Sequence, residues 1–244
     1  ILYHPVFIQG VDWGVIAIIF GASLFVDITS KSGLFTWIAL KLTKASKGDP
    51  LKLLWAYGLM TVIFSAVLNN VTAMIIVGSL SVVSLEKLHR RELLLGFLLI
   101  EGLLTNVGGL LTLISSVPNI IVGTAAGISF GRFFIIAAPF VFITTILTIW
   151  LGSKMFKIKG FTSEEESKAG EQLVSQFDES EGIHSRGFFI FATIMTLMFV
   201  LTIAFASMIP GLNKLGMAYV ALLFAGIMLV RYKSEASTFY KAID

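Results

Sequence analysis

Long apolar runs alternate with short polar punctuation along this chain, and the spacing of the punctuation predicts the elements. Asp12 to Ile28 is a run of spanning length, closed by Lys31-Ser32-Gly33. Leu34 to Ala45 sets Lys41 and Lys44 beside Leu34, Ile38 and Leu42, which predicts an amphipathic helix along a membrane interface. Lys47-Gly48-Asp49-Pro50 is a turn signal. Pro50 to Leu85 then runs for about 36 residues and is broken only at Asn69-Asn70. Two full crossings with a turn need more than about 40 residues, so the length predicts a re-entrant hairpin with its tip at Asn69-Asn70. After the charged loop Glu86–Glu92, Leu93 to Gly127 reads as one apolar element interrupted between Asn106 and Asn119. Gly131 to Ser153, Phe188 to Met208 and Leu215 to Val230 are further spans, the last two joined by a tight turn at Pro210-Gly211. Residues 154–186 form a polar loop, where Thr162 or Ser163 can cap a short helix opened by Glu164-Glu165-Glu166.

This pattern makes an all-α integral membrane protein, a polytopic helical bundle with a hairpin and a broken helix. Composition agrees. The 244 residues are 56% hydrophobic and only 14% charged, whereas soluble domains carry about 25% charged residues. Charge adds orientation. Of the 18 Lys and Arg, all but Arg132 and Lys214 fall on one side if residue 1 is outside. The positive-inside rule then makes loops 31–52, 86–92 and 154–186 and the C-terminus cytoplasmic, in a plasma (inner) membrane. With no cysteine, disulfides and thiolate metal sites are excluded. His4, His89 and His184 are scattered in loops, and nothing points to nucleic acid or to a cofactor beyond a coupling Na+. No metal, nucleophile or phosphate motif supports an enzyme. Gly127-Ile128-Ser129-Phe130-Gly131 matches G-x-S-x-G, but that motif needs a strand-to-helix elbow and here lies between membrane helices.

Candidate chemistry sits in two polar clusters placed where lipid should be. The first is Ser65-Ala66-Val67-Leu68-Asn69-Asn70-Val71-Thr72; the second runs from Thr105-Asn106-Val107-Gly108-Gly109 through Thr112 to Ser115-Ser116-Val117-Pro118-Asn119. Unwound backbone at that depth is tolerated only where it packs in protein or lines a cavity. Secondary transporters use such breaks to hold ions and anionic groups. The competing reading is that small and polar residues cement helix contacts. Glu101, inside the apolar run Leu93–Leu104, is costly unless it faces a cavity or a partner, and it is the candidate coupling carboxylate. Asp12 and Asp27 read as interfacial. Val11-Asp12-Trp13 and Ala242-Ile243-Asp244 open similar units from opposite faces, so the chain is expected to be one half of an inverted repeat and to lack the second half.

With these residues the chain resembles the citrate-transporter-like ion transporter superfamily, which includes arsenite permeases, the melanocyte P protein, NhaD-type sodium/proton antiporters and, more distantly, divalent-anion:sodium symporters. The resemblance rests on Ser65 to Thr72 followed by Thr105-Asn106-Val107-Gly108-Gly109 and Pro118-Asn119, and covers nearly all of 11–153. It implies scaffold helices over 1–49 and half of a mobile transport domain over 50–153, comprising a hairpin (50–85), a broken helix (93–127) and a helix (131–153). A cytoplasmic loop (154–186) and the first two helices of a second repeat (187–244) follow, and the assembly would be a homodimer in the lipid bilayer. By the same match Ser65, Asn69, Asn70, Gly108 and Gly109 are cation-site candidates. Asn70, Thr72, Thr112, Pro118 and Asn119 are candidates for a small anionic solute. Relatives mostly carry an acid where this chain has Asn69, and their Gly-Asp-Pro-Pro-Asn stands here as Ser115-Ser116-Val117-Pro118-Asn119, so the site is nearly free of charge. The implied activity is secondary transport of a small anion or oxyanion, a carboxylate or arsenite for example, coupled to Na+ or H+. A sodium/proton antiporter and a non-transporting membrane component are the alternatives.

Overall fold

A computed structural model describes residues 13–68, 70–180, 182–183, 185–205 and 212–233, with the backbone alone at 212–214. Among them the regular structure is helical: α1 (Trp13–Ser30), α2 (Leu34–Ala45), α3 (Pro50–Val67), α4 (Asn70–Lys87), α5 (Leu94–Gly109), α6 (Val117–Ala125), α7 (Phe130–Met155), α8 (Glu164–Ser175), α9 (Arg186–Phe205) and α10 (Leu212–Arg231). The helices α1, α3, α4, α7 and α9, and α5 together with the turn before it, are long and apolar enough to cross a membrane. Val11, Asp12, Met208, Pro210-Gly211 and Ala242-Ile243-Asp244 lie outside the described residues, as do His4 and His184.

Local chemistry sets several boundaries. The turn before α3 takes left-handed backbone at Lys47 (φ 53°) and Gly48 (φ 75°). Asp49 then caps the helix, Oδ1 accepting from the Leu51 and Lys52 amides at 2.9 Å, a cap worth about 1 kcal/mol. Its Oδ2 accepts from the amide of Phe161, which ties the hairpin to the 154–186 loop. There Ser163 caps α8 by accepting from the Glu166 amide, while Glu166 Oε2 accepts from the amide of Thr162. These two contacts make a capping box. Ser129 likewise caps α7 by accepting from the Arg132 amide, so the G-x-S-x-G match is a helix start.

The hairpin is present, with a shorter turn than its length predicts. α3 and α4 have 18 residues each, about 27 Å at 1.5 Å per residue, against a hydrocarbon core of roughly 30 Å. α3 ends at Leu68, in extended backbone (φ −91°, ψ 168°), and α4 begins at Asn70; Asn69 lies outside the described residues. Length therefore does not separate a re-entrant hairpin from a double crossing. Both open ends lie together, since a Cβ on Gly48 would come 2.9 Å from the Leu88 side chain.

That end of the molecule also collects the charge. Ion pairs Lys44–Glu179, Lys47–Glu171 and Arg90–Glu166, at 3.3 to 3.7 Å, join α2, the α2–α3 turn and the loop after α4 to the α8 segment. As partly exposed pairs they contribute little each. α2 has its predicted bounds and buries Leu34, Phe35, Ala39, Leu40 and Thr43 against its neighbours.

Packing sorts the spanning helices into two groups. In one, α3, α4, α5 and α7 pack together; in the other, α1 packs on α10 and α9. The second group is held by rings: Phe25 stands 4.4 Å from Phe199 and 6.1 Å from Phe224, and Phe188 stands 4.1 Å from Tyr232. The helix expected over Leu215–Val230 lies within α10, and Gly216 (φ 77°, ψ 174°) kinks it near its start. Glycine is the residue that adopts this backbone without strain.

Candidate solute-binding site

The second polar cluster breaks later than expected. Thr105 to Gly109 stays helical, and the unwound segment is 110–116, between α5 and α6. Two physical reasons account for it. Asn106 satisfies its own amide by donating Nδ2 to the Gly102 carbonyl at 3.2 Å, as a helical residue can. The glycines, for their part, serve close approach. A Cβ on Gly108 would lie 2.5 Å from the Val62 carbonyl oxygen and 2.8 Å from Val62 Cα, and one on Gly109 would lie 2.7 Å from Asn70 Oδ1.

This approach sets the hairpin tip against the broken helix. Ser65, fully buried, donates to the Thr105 carbonyl at 2.6 Å and to Asn70 Oδ1 at 2.7 Å. Thr112 Oγ1 donates to the Ala66 carbonyl at 2.5 Å, fastening the unwound segment to the end of α3. Within the segment Ser115 Oγ donates to the carbonyls of Gly109 (2.6 Å) and Thr112 (2.9 Å). Asn119 Nδ2 reaches back from α6 to the same two carbonyls, at 2.8 and 2.9 Å. The carbonyls that α5 loses on unwinding are thus re-satisfied by side chains, as burial demands.

Of the sequence candidates, Ser65, Asn70, Gly108 and Gly109 come together, and Thr112 and Asn119 join them through Gly109. Asn69 lies outside the described residues. Thr72 is two residues on from Asn70 in the first turn of α4, where positions i and i+2 face apart. Pro118 is exposed in the first turn of α6, where its fixed φ suits a helix start. The Gly109 carbonyl accepts from two donors already, so this arrangement does not offer it as a free cation ligand.

A narrow cleft of about 60 Å³ separates the unwound segment from α1. Its walls are Ile19, Ala22, Ser23 and Val26 on one side and Val67, Ile114, Ser115, Ser116, Val117 and Ile120 on the other. It lies where the two packing groups meet, with the N-terminus of α6 in its wall. The N-termini of α4 and α6 both stand close to Gly109, through Asn70 and Asn119.

Glu101 is fully buried on α5. Its Oε1 accepts from Ser81 Oγ of α4, its Oε2 is buried without a hydrogen-bond partner, and its carbonyl accepts from Thr105 Oγ1 at 2.7 Å. Sequence reading missed a neighbouring string in which Tyr57 Oη is 2.5 Å from Thr43 Oγ1 and 2.6 Å from Ser84 Oγ, all buried. Ser81 and Ser84, one turn apart in an apolar helix, were the available signal. Among the described residues no cluster of His, Cys, Asp or Glu could hold a metal ion.

Helices long and apolar enough to cross a membrane thus carry two polar breaks fastened together near a cleft. The citrate transporter family matches the chain over residues 1–244. The chain is 31% identical over 235 residues to a 46 kDa membrane protein of Mycobacterium leprae, covering 96% of this chain and 52% of that one. It is 32% identical over 238 residues to an uncharacterized transporter of Mycobacterium tuberculosis, again covering 96% and 52%. The P protein of Mus musculus is 31% identical over 117 residues, 47% of this chain and 14% of that one. The chain belongs to the citrate transporter family, and it spans about half the length of the mycobacterial relatives it matches.

Proposed function

We propose that this chain supplies half of a secondary active transporter that moves a small carboxylate or comparable oxyanion, driven by a Na+ or H+ gradient. The observation that carries this reading is the convergence on Gly109, where the Asn70 side chain packs and the carbonyl accepts from Asn119, which brings two helix N-termini together near a cleft. Helix N-termini present unpaired N–H groups and a positive dipole end, which suit an anion. At up to about 2 kcal/mol each, two of them supply about 4 kcal/mol, a millimolar affinity. Tighter binding needs further donors, which a second half-site of the same kind would provide. The family's name favours a carboxylate over an uncharged oxyacid. The cleft lies between the two packing groups, so sliding the α3–α5 group against α1 would expose it alternately.

The test is uptake of radiolabelled citrate by the full-length protein in proteoliposomes under imposed pH and Na+ gradients. Asn70→Ala is expected to raise the KM for citrate about tenfold with the folded yield retained. Uptake indifferent to both gradients, or a KM unchanged by the substitution, would overturn the reading.

A further inference from the structure

We propose that Glu101 is the residue that takes up and releases the coupling proton, through its Oε2, and that the hydroxyls of Tyr57, Ser84 and Thr43 give it access from the charged end of the molecule. This deepens the transporter reading and rests on it. Positions that hold acids in the resembling families are Asn69 and Ser116 here, so the breaks carry no carboxylate. Among the described residues the buried acids are Asp49 and Glu101. Asp49 is spent on a helix cap and a loop tether. Glu101 is not spent. A carboxyl kept for structure alone would pair both oxygens, because an orphaned buried acceptor costs about 1–3 kcal/mol. Here one oxygen accepts from Ser81 and the other faces protein without a donor. That oxygen is where a proton can be bound and released without breaking the Ser81 contact.

The surroundings fit a proton better than a metal ion. From α3, Tyr57 is the titratable group within electrostatic range of Glu101. α4 presents the hydroxyls of Ser81 and Ser84. α7 presents Ile149 and the backbone of Gly152, which pack on Leu104 and Ile100 through the glycine contacts of Gly58 and Gly152. A bare cation would need several oxygen ligands, and these elements do not supply them around Oε2. The Tyr57 hydroxyl joins Thr43, whose carbonyl accepts from Ser46 at the α2–α3 turn, to Ser84, one helical turn from Ser81. In one cycle Oε2 binds one H+ while the site faces one side and yields it to water on the other. The link to the solute is mechanical: Thr105 holds the Glu101 carbonyl, and its own carbonyl holds Ser65 and, through it, Asn70.

The experiment uses Glu101→Gln in the full-length protein, which keeps the shape and an acceptor for Ser81. Citrate counterflow, needing no net proton movement, is expected within twofold of the parent, whereas uptake driven by a pH gradient falls at least tenfold. Infrared difference spectra between acid and alkaline pH give a readout independent of any solute. The carboxylic C=O band that titrates in the parent is expected to vanish in Glu101→Gln. Tyr57→Phe, which keeps the ring, is expected to slow pH-driven uptake about tenfold and spare counterflow. Retention of pH-driven uptake in Glu101→Gln, or persistence of the titrating band, would overturn the proposal. If Glu101→Gln does not fold, Ser81→Ala takes its place and must move the midpoint of the parent's band by about one pH unit; an unmoved midpoint refutes the assignment. A parent that moves no citrate yet shows the band overturns the carboxylate reading and supports the proton site.

Discussion

The α1–α9–α10 group and the α3–α4–α5 group are both built from apolar helices, yet they are held together by different chemistry. In the first, Phe25, Phe199 and Phe224 interlock and Phe188 stacks on Tyr232. In the second, the contacts at the helix crossings are a glycine on a carbonyl, serine and threonine hydroxyls on carbonyls, and asparagine amides. Lipid tails are as apolar as a phenylalanine, so rings in a membrane hold by fit, and fit resists displacement. Hydrogen bonds to unwound backbone can be traded for bonds to a solute, because both partners keep their polarity satisfied. On the proposed reading the polar group is where a solute enters and the aromatic group is what it moves against.

Glycine substitutions break this comparison most sharply. Gly108→Val places side-chain atoms into the Val62 backbone and is expected to cost about 3 kcal/mol or more, read as loss of the folded full-length protein in a thermal melt. Gly102→Ala, six residues earlier on the same helix, has nothing within 4 Å of the new Cβ and is expected to stay within about 1 kcal/mol of the parent. Equal losses at both positions would mean that α5 is sensitive as a helix rather than at its crossing with α3. The aromatic side is sharpened by Phe25→Ala. Removing a ring that is 1% exposed is expected to cost about 3 kcal/mol of thermal stability while leaving the KM for citrate within twofold. A large change in KM there would put the solute contact on the wrong side.

The smallest effect lies outside both groups. The Ser180 hydroxyl and then its amide, both donating to Asp178 Oδ1, hold the Asp178 carboxyl below its usual range. A lowered value means that this turn is fully supported above the ordinary carboxylate range and loosens as pH falls through the lowered value. Hydrogen exchange at the Ser180 amide should quicken over that acid range, with exchange in α3 and α9 unaltered.

Much of the scaffold was legible from spacing alone. The bounds of α2, the capping turn at Lys47-Gly48-Asp49-Pro50, the Ser163 cap and the hairpin with its break all follow from local residue chemistry. Misreadings arose where one residue type serves two ends. Asn106 and Gly108 read as helix breakers, but Asn106 bonds within its helix and Gly108 exists for the Val62 contact. The kink at Gly216 was hidden by unbroken hydropathy, and α1 packing on α10 joins residues about 200 positions apart, which no local pattern encodes. The Tyr57 string was invisible because Thr43, Tyr57 and Ser84 come from three helices.

On the proposed reading solute binds where Asn70 and Asn119 converge on Gly109, on the other side of Ser115 and Ser116 from the helix α1, whose residues share the neighbouring cleft with them. An electron cryomicroscopy map of the full-length protein saturated with citrate tests it most directly. Density for the carboxylates within hydrogen-bond reach of the Asn70 and Asn119 amides or the first amides of α4 and α6 is the predicted result. Density seated among Phe25, Phe199 and Phe224, or a continuous helix through residues 110–116 with citrate bound elsewhere, would contradict it.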